Sequence, residues 1–312
     1  MKTAVIYHYY ELNQCYKDNL IFFLSTAVYD ELEYFLYISG NCSVELPNLK
    51  NFQITFIENK NNDFGGVIEF YKNNKYLKFD NYIFINSSVR GPFLPNYHSS
   101  KWYEVFTKKL NGSVAMVGSS INLLPLNSFH SRHFKEAFNY APPYIHVQTT
   151  AYALSFEGFD LLTKKDFFNI TENLSKNDVI SYYEILLSQL LLNHGLKISS
   201  ILPTYEEFSF SKRDTKHVGT SLNGDILYRS AFYGRTLSPF ESIFTKTNRK
   251  LISKKELASF TYTSLVSLEA QDLLTKDGLS LFQRSLNKIH FQEKIFIRML
   301  GKIINKLEKY KY

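Results

Sequence analysis

The sequence predicts an α/β protein whose mostly parallel sheet is flanked by helices. Hydrophobic residues make up 45% of the 312 residues and charged residues 21%, which is enough for a sizeable packed core. Strand-like apolar runs alternate with segments of helical periodicity over the first two thirds of the chain. Conspicuous polar clusters follow the apolar runs, where the ligand-binding edge of a parallel sheet would lie.

The predicted elements follow one another along the chain. The strands are residues 3–8, 34–38, 52–57, 82–85, 114–117 and 146–154, each a short β-rich or buried apolar run. The helices are residues 16–29, 64–71 and 179–194. Asn62 and Asp63 form a favourable N-cap pair before the second helix. This alternation favours parallel strands joined by helices.

Two domains are predicted, residues 1–250 as the α/β domain and residues 251–312 as a helical extension. From residue 282 the chain has the pattern of a basic amphipathic helix. Its apolar face consists of Phe296, Leu300, Ile303 and Leu307, and its basic stripe of Lys294, Arg298, Lys302 and Lys306. Two interpretations stay open, packing of this helix on the domain or adsorption to the anionic inner surface of a membrane.

The composition limits the compartment and the partners. Cys15 and Cys42 stand alone without a C-x-x-C spacing, which indicates a reducing compartment and no structural zinc site. No apolar run is long enough for a signal peptide or a bilayer span, so we expect a cytoplasmic protein, with peripheral attachment to the inner face of the cytoplasmic membrane left open. The net charge of +7 is compatible with nucleic acid, anionic lipid or a nucleotide-sugar substrate.

The first candidate site lies in the polar segment between the third strand and the second helix. Asn59 and Asp63 could accept hydrogen bonds from a ribose or a base, and Gly65 would let a ligand approach the backbone. The helix N-terminus that follows favours phosphate. An ordinary capped turn is the alternative, because Asn, Asp and Gly are common turn residues.

The second candidate site follows the apolar strand at residues 82–85. Asn86, Ser87 and Ser88 come directly after the strand, and Arg90 follows them. A guanidinium can form a bidentate fork to phosphate oxygens, so Arg90 could neutralise a diphosphate without a metal. The alternative is again a plain turn.

The third candidate site combines a helix with a strand. Glu184, on the predicted helix at residues 179–194, could remove a proton from a hydroxyl group. A solvated helix face is the alternative for Glu184, and Asp178 is the competing base or a simple N-cap. His146 and Gln148 open a predicted strand at the same edge of the sheet.

The order of these motifs resembles a bacterial group of polysaccharide glycosyltransferases of the GT-A type. This group includes rhamnan-synthesis-type transferases and O-antigen galactofuranosyltransferases. The resemblance covers roughly residues 3 to 250 and rests on the segments Asn62–Gly65, Asn86–Pro92, Val117–Asn122, His146–Thr149, Gly234–Glu241 and Lys246–Arg249. It implies a GT-A-like, Rossmann-type fold for residues 1–250.

The resemblance also implies a reaction. A sugar such as galactofuranose or rhamnose would pass from a UDP- or dTDP-sugar to a lipid-linked glycan of a surface polysaccharide, capsule or lipopolysaccharide O-antigen. In inverting GT-A enzymes an acidic base opens a helix that ends at a glycine about three turns later, and Glu184 and Gly195 have this separation.

Metal use is where the sequence departs from the GT-A pattern. The metal-binding Asp-x-Asp is replaced by Asn86-Ser87-Ser88, and such groups hold divalent cations poorly. We therefore expect no cofactor and no metal ligands, with a divalent metal left open through Asp63.

A different class of function stays open as the alternative, a non-catalytic basic protein that binds polysaccharide or nucleic acid. Such a protein would need basic and aromatic residues interleaved on one surface. The basic excess lies instead toward the C-terminus, with no recognisable nucleic-acid motif. We therefore expect no nucleic-acid partner.

Overall fold

The computed structural model describes residues 1–95, 97–170, 172–202, 204 and 224–290. The chain divides into two compact units, Met1–Leu251 and Ile252–Tyr312. The strands are β1 (Thr3–Tyr10), β2 (Leu32–Ser39), β3 (Phe52–Ile57), β4 (Asn81–Asn86), β5 (Val89–Arg90), β6 (Val114–Gly118), β7 (Ile121–Leu123), β8 (Ile145–Val147), β9 (Ala151–Ser155), β10 (Lys197–Ser200) and β11 (Thr245–Lys246).

A seven-stranded sheet is the framework of the first unit, in the order β10-β6-β9-β4-β1-β2-β3. Strands β1, β2, β3 and β4 pair in parallel, as do β6 and β10. Strand β9 runs antiparallel to both of its neighbours, β4 and β6. The predicted α/β class with a mostly parallel sheet is therefore confirmed. Two further pairs, β5 with β11 and β7 with β8, form small antiparallel ribbons.

Helices cover both faces of the sheet, so its central strands are buried on both sides and are almost continuously apolar. The helices of the first unit are α1 (Gln14–Thr26), α2 (Gly65–Asn74), α3 (Glu104–Thr107), α4 (Phe129–Phe138), α5 (Phe156–Lys164), α6 (Lys176–Val179), α7 (Leu186–Asn193) and α8 (Pro239–Ser242). Helix α9 (Lys254–Glu269) belongs to the second unit.

Alternation along β1 separates the two faces of the sheet. Ala4 and Ile6 belong to the large core that contains residues of α2, α5 and α7. Tyr7 points the other way and packs against Phe23 of α1, with ring centroids 4.8 Å apart and the rings tilted by 49°. Phe23 in turn meets the fully buried Trp102 edge to face. Successive side chains of a strand face opposite sides, which is why one apolar run supplies two cores.

The single strand predicted at residues 146–154 is wrong. The structure has two strands there, and they belong to different sheets: β8 pairs with β7, whereas β9 lies in the main sheet. The polar residues Gln148, Thr149 and Thr150 separate them. The Gln148 amide donates to the Ser120 carbonyl (3.0 Å), while the Thr150 carbonyl accepts from the Asn86 amide (3.1 Å), so the backbone bonds change direction between the two strands.

Two predicted helix starts also differ from the structure. Asn62 and Asp63 lie in a single 3₁₀ turn, and α2 begins after it at Gly65 without a side-chain cap. Ser175, not Asp178, caps α6, because the Ser175 hydroxyl accepts from the Asp178 amide at 3.2 Å. Both sites hold several capping residues in a row, and propensity alone does not choose between them.

In the second unit, a capping box of Ser253 and Glu256 starts α9. A further helix begins at residue 276 and is described as far as residue 290. Tyr262 stacks on Phe282, with ring centroids 4.8 Å apart. The predicted basic stripe and apolar face lie at residues 294 to 307, outside the described residues. No helix in the described part of the chain is long and apolar enough to cross a membrane.

Candidate functional site

The carboxyl ends of β1, β2 and β4 meet at one edge of the sheet, and their last residues are polar. His8 pairs in register with Asn86 of β4. The buried His8 ring bonds to the Ser39 hydroxyl through Nε2 (2.8 Å) and to the Asp63 carbonyl through Nδ1 (3.1 Å). A proton on Nδ1 satisfies both bonds, with Ser39 donating to Nε2. Burial lowers the pKa of His8, which keeps the ring neutral.

The glycines at the start of α2 allow this helix to approach β1 closely. A Cβ on Gly66 would lie 2.7 Å from the His8 Cβ, and one on Gly65 would lie 2.3 Å from the Lys60 carbonyl oxygen. Protein atoms thus fill the space that a side chain would need, so packing alone accounts for both glycines. The predicted approach of a ligand to Gly65 stays a prediction.

Asp63 and Asn59 lie on the loop between β3 and α2, and both are exposed. Asp63 lines a narrow cleft together with His8, Asn86 and Tyr152. The Tyr152 hydroxyl is buried there and has no hydrogen-bond partner among the described residues. Asn59 is not part of this cleft.

Asn86, Ser87 and Ser88 form a tight buried turn at the end of β4. The Asn86 side-chain oxygen accepts from both the amide (3.0 Å) and the hydroxyl (2.6 Å) of Ser88. The Ser87 hydroxyl accepts from the Tyr10 amide at 3.3 Å. These bonds hold the turn in one conformation and engage at least one group of each side chain. Their predicted contact with a diphosphate stays a prediction.

Arg90 is buried against helix α1. Its Nε donates to the Asn19 side-chain oxygen at 3.0 Å, and its guanidinium lies 3.6 Å from the Asp18 carboxylate and 3.4 Å from the Cys15 carbonyl. These partners already compensate the charge. The prediction that Arg90 binds phosphate is untested, and these contacts give its guanidinium a structural role.

A distant segment brings a lysine to the same turn. Strand β11 pairs with β5 so that Lys246 lies opposite Val89. The amide and hydroxyl of Thr247 both donate to the Ser88 carbonyl, at 2.9 and 3.0 Å. Asn19 ties the two segments together by donating to the Ser87 carbonyl and the Thr247 hydroxyl. Lys246 is therefore fixed beside the residues that follow β4.

Glu184 lies in a π-helical segment, Ile180–Ile185, between α6 and α7. Such segments are rare inside helices and are frequent at functional sites. The side chain is half-buried. Burial, together with the negative charges of Asp225 and Asp63, raises the pKa of Glu184 from 4.5 to about 7, although Lys246 and Arg249 act in the opposite direction. The helix ends before Gly195, which has a left-handed backbone (φ +82°).

We call Asp63, Glu184, Asp225, Lys246 and Arg249 the charged cluster, because these groups act on one another electrostatically. Arg249 forms an ion pair with Asp225, and its guanidinium lies 4.5 Å from the centre of the Tyr228 ring. Burial and the nearby Arg249 lower the pKa of Lys246, whereas the three carboxylates favour its charged form.

The two residues predicted to bind the transferred sugar or the acceptor, His146 and Gln148, are both buried. His146 Nδ1 donates to the Tyr144 carbonyl at 3.0 Å, and burial lowers the pKa of the ring while Asp225 raises it. Asn122 lies opposite His146 on β7, and its buried side-chain oxygen has no partner among the described residues. Directly opposed residues share a face of a ribbon, so Asn122 joins His146 there.

Part of the predicted site is thus brought together. Asp63 and Glu184 share the charged cluster, His146 is coupled to it through Asp225, and the turn at residues 86–88 lies next to Lys246. Arg90 has its own partners on α1.

The described residues contain no group of three or more His, Cys, Asp or Glu side chains placed to hold a metal ion, and the expected metal independence stays a prediction.

Sequence reasoning missed four of the site residues, namely His8, Asp225, Lys246 and Arg249. The available signal was the segment Thr245–Arg249, in which two cations follow the apolar pair Ile243 and Phe244. Its position beside β5 depends on pairing across more than 150 residues, which no local pattern reports.

The raised pKa of Glu184 predicts a pH-dependent gain in stability on replacement by Gln. Between pH 4.5 and about 7 the carboxyl ionises in the unfolded chain but stays protonated in the folded protein, so the folded state is penalised above this range. Glu184→Gln should raise the free energy of unfolding by ~1–3 kcal/mol at pH ~8 and by much less at pH ~4.5. Denaturant titrations at both pH values measure the difference.

Glu136→Gln is the matched control, because Glu136 is exposed on α4. It should leave the unfolding free energy nearly unchanged at both pH values. A Glu184→Gln protein with the same pH dependence of stability as the wild type would contradict the raised pKa.

The sequence matches no known family profile, and no curated protein is similar to it at the level of sequence. Among solved structures, the chain is similar to S. aureus TarS (residues 1–349), with a TM-score of 0.38, 13% identity, and coverage of 94% of this chain and 72% of that one.

Two further solved structures are similar to the chain. A mannosyltransferase from Pyrobaculum calidifontis, in complex with GDP-Man and Mn²⁺, gives a TM-score of 0.34 at 10% identity, covering 92% of this chain and 85% of that one. The galactosyltransferase LgtC, in complex with donor and acceptor sugar analogs, gives 0.33 at 10% identity, covering 57% and 69%. At these scores the assignment of the fold rests on the sheet order described above.

Proposed function

We propose that the chain is a glycosyltransferase that moves a sugar from a nucleotide-sugar donor to a growing surface polysaccharide. One observation supports this most strongly. Glu184 has a pKa of about 7 and shares the charged cluster with Lys246 at the ligand-binding edge of a parallel sheet. A general base is most effective when its pKa lies near the working pH. A cation beside it suits a substrate whose leaving group is a phosphate.

In the proposed reaction an acceptor hydroxyl attacks the anomeric carbon of the donor sugar. The bond between that carbon and the phosphate oxygen breaks as the new glycosidic bond forms, and the nucleoside diphosphate leaves with the bonding electrons. Glu184 takes the hydroxyl proton. Attack opposite the leaving group inverts the anomeric configuration, and no step requires a metal.

The remaining candidate residues divide between the two substrates. We propose that Asn59, Asp63 and Gly65 bind the nucleoside end of a UDP- or dTDP-sugar, and that the turn at residues 86–88 lies near the diphosphate. On the other side, His146 and Gln148 face the transferred sugar or the acceptor. The burial of His146 with a lowered pKa supports a neutral ring, which can accept as well as donate a hydrogen bond.

The finer assignments rest on the resemblance of the ordered motifs. We propose galactofuranose or rhamnose as the transferred sugar and a lipid-linked glycan of an O-antigen or capsule as the acceptor. A lipid-linked acceptor would lie at the inner face of the cytoplasmic membrane. The basic stripe at residues 294 to 306 would suit attachment there.

A panel of UDP-, dTDP- and GDP-sugars tests the proposed function. A donor that binds the folded protein stabilises it by about 2.7 kcal/mol at a hundredfold excess over its Kd, and a thermal shift detects this. We expect at least one donor to raise the melting temperature and to release its nucleoside diphosphate on slow hydrolysis. A protein that neither binds nor hydrolyses any of them would contradict the proposal. Salt-sensitive binding of random DNA instead would favour the basic binding protein.

A further inference from the structure

The charged cluster contains one cation whose partner is missing from the described residues. Lys246 is half-buried, and its ammonium has neither a hydrogen bond nor an ion pair there. By contrast, Arg249 in the same cluster is paired with Asp225, and Arg90 is bonded to residues of α1. A partly desolvated charge without a partner costs free energy, so such a group is retained for a ligand more readily than for stability.

The position of Lys246 defines what it can reach. Its backbone is held to the turn that follows β4, through the pairing of β11 with β5 and the bonds of Thr247 to the Ser88 carbonyl. Ligands of open α/β sheets bind just outside the carboxyl ends of the strands. The ammonium therefore lies on the side where a bound nucleotide would place its phosphates.

The groups that act on Lys246 electrostatically come from three segments of the first unit. Glu184 acts from the π-helical segment and Asp63 from the loop before α2, whereas Asp225 and Arg249 belong to the segment 224–251 that also carries Lys246. None of the three carboxylates forms an ion pair with Lys246 among the described residues. They favour the charged form of the ammonium, whereas burial and Arg249 lower its pKa. A multiply charged anion can then bind it with a charge-assisted hydrogen bond.

We propose that the Lys246 ammonium binds the donor diphosphate directly and takes the charge-neutralising role that a divalent cation would otherwise have. This inference rests on the proposed function. When the sugar is transferred, the negative charge that develops on the departing diphosphate is stabilised by a fixed ammonium. The nucleoside diphosphate product keeps this contact with the Lys246 ammonium until it dissociates.

Isothermal titration with UDP, dTDP and GDP in EDTA tests the assignment. For the nucleotide that the wild type binds, Lys246→Met should weaken the affinity about 10- to 100-fold, the usual range for one charge-assisted hydrogen bond. Lys246→Arg should recover a large part of the affinity. Lys250→Met is the matched control, because Lys250 is exposed four residues away, and it should bind like the wild type. A pH of ~8.5 lies above the raised pKa of Glu184, so this carboxyl is ionised in the wild type during the titration.

Melting temperatures separate binding from folding. Lys246→Met removes a partly desolvated charge, so it should melt no lower than the wild type. Equal nucleotide affinity in Lys246→Met and the wild type would overturn the assignment and leave the proposed function standing. Binding that requires Mn²⁺ or Mg²⁺, or an equal loss in Lys250→Met, would also overturn it. If no nucleotide binds with or without metal, both proposals fail.

Discussion

Glu184→Gln is expected to lower the turnover of the proposed transfer reaction by ~10²–10⁴-fold. Gln has almost the same shape as Glu but cannot accept the proton of the acceptor hydroxyl. Donor affinity should change little, because a base acts in the transition state and much less in the ground state. The unfolding free energy should not fall either, since the raised pKa of Glu184 makes its charge a cost to the folded state. Lower turnover in a protein of unchanged or higher stability would identify a catalytic role.

The pH dependence of kcat/KM gives an independent measurement. Because the pKa of Glu184 is about 7, the wild-type value should fall roughly tenfold per pH unit below that pH and level off above it. We call this fall the acidic limb of the pH profile, and it should be absent from the residual activity of Glu184→Gln. Asp178→Asn is the control variant: Asp178 bonds to the Ser175 hydroxyl and His133 at the start of α6, so its loss should affect turnover far less.

Near-normal turnover of Glu184→Gln would remove the assignment of the base. Asp225 and Asp63 of the charged cluster would then be the next candidates by position. Asp178 stays the alternative that the sequence offers. The sequence offers Glu206 and Glu207 as further candidate bases, and both lie outside the described residues.

Much of the fold could be predicted from the sequence because the strands of a parallel sheet are buried on both faces. The apolar run at residues 82–85 lies within β4, whose residues are all buried. The edge strand β3 also has the predicted bounds, although it is only partly buried. The prediction failed at residues 146–154, where a change of sheet is made by three polar residues. Each of them is compatible with a strand, and only the tertiary bonds decide.

The site was less predictable than the fold. Glu184 was predicted because its separation from Gly195 matches the base-to-glycine spacing of the resembled enzymes, but the π-helical segment around it leaves no sequence signal. Lys246 and Arg249 lie in residues 224–251, which have little periodicity, and their chemistry comes from pairing with the turn after β4. For Arg90 the sequence predicts a contact with a ligand, because the residue follows a strand. In the structure its guanidinium is bonded to residues of α1.

Loss of the ion pair between Arg249 and Asp225 is expected to destabilise the folded protein more than loss of an exposed ion pair. Asp225 is 8% exposed, and its other carboxylate oxygen already accepts from the Leu227 amide at 2.9 Å. Arg249→Met would leave this carboxylate buried without its cation. We expect the free energy of unfolding to fall by ~2–3 kcal/mol, somewhat less than for a fully buried pair because the Arg249 side chain keeps 24% of its exposure. Denaturant unfolding at neutral pH measures this loss.

The pair of Arg235 and Glu241 provides a matched control within the same unit. Its two bonds, 2.6 and 2.7 Å, have the same chemistry, but the side chains are 54% and 34% exposed. Solvent screens such a pair, so Arg235→Met should cost less than ~1 kcal/mol. If Arg249→Met were equally mild, the buried pair would not stabilise the first unit.

A double-mutant cycle connects this stability effect to the proposed base. Adding Asp225→Asn to Arg249→Met removes the unpaired charge, so the double variant should recover part of the lost stability, with a coupling of ~1–3 kcal/mol. The two changes act on Glu184 in opposite directions, because Arg249 lowers the pKa of that carboxyl and Asp225 raises it. Arg249→Met should therefore move the acidic limb of kcat/KM to higher pH, and Asp225→Asn should move it to lower pH. A limb that stays in place in both single variants would show that the group titrating in the profile lies outside the charged cluster.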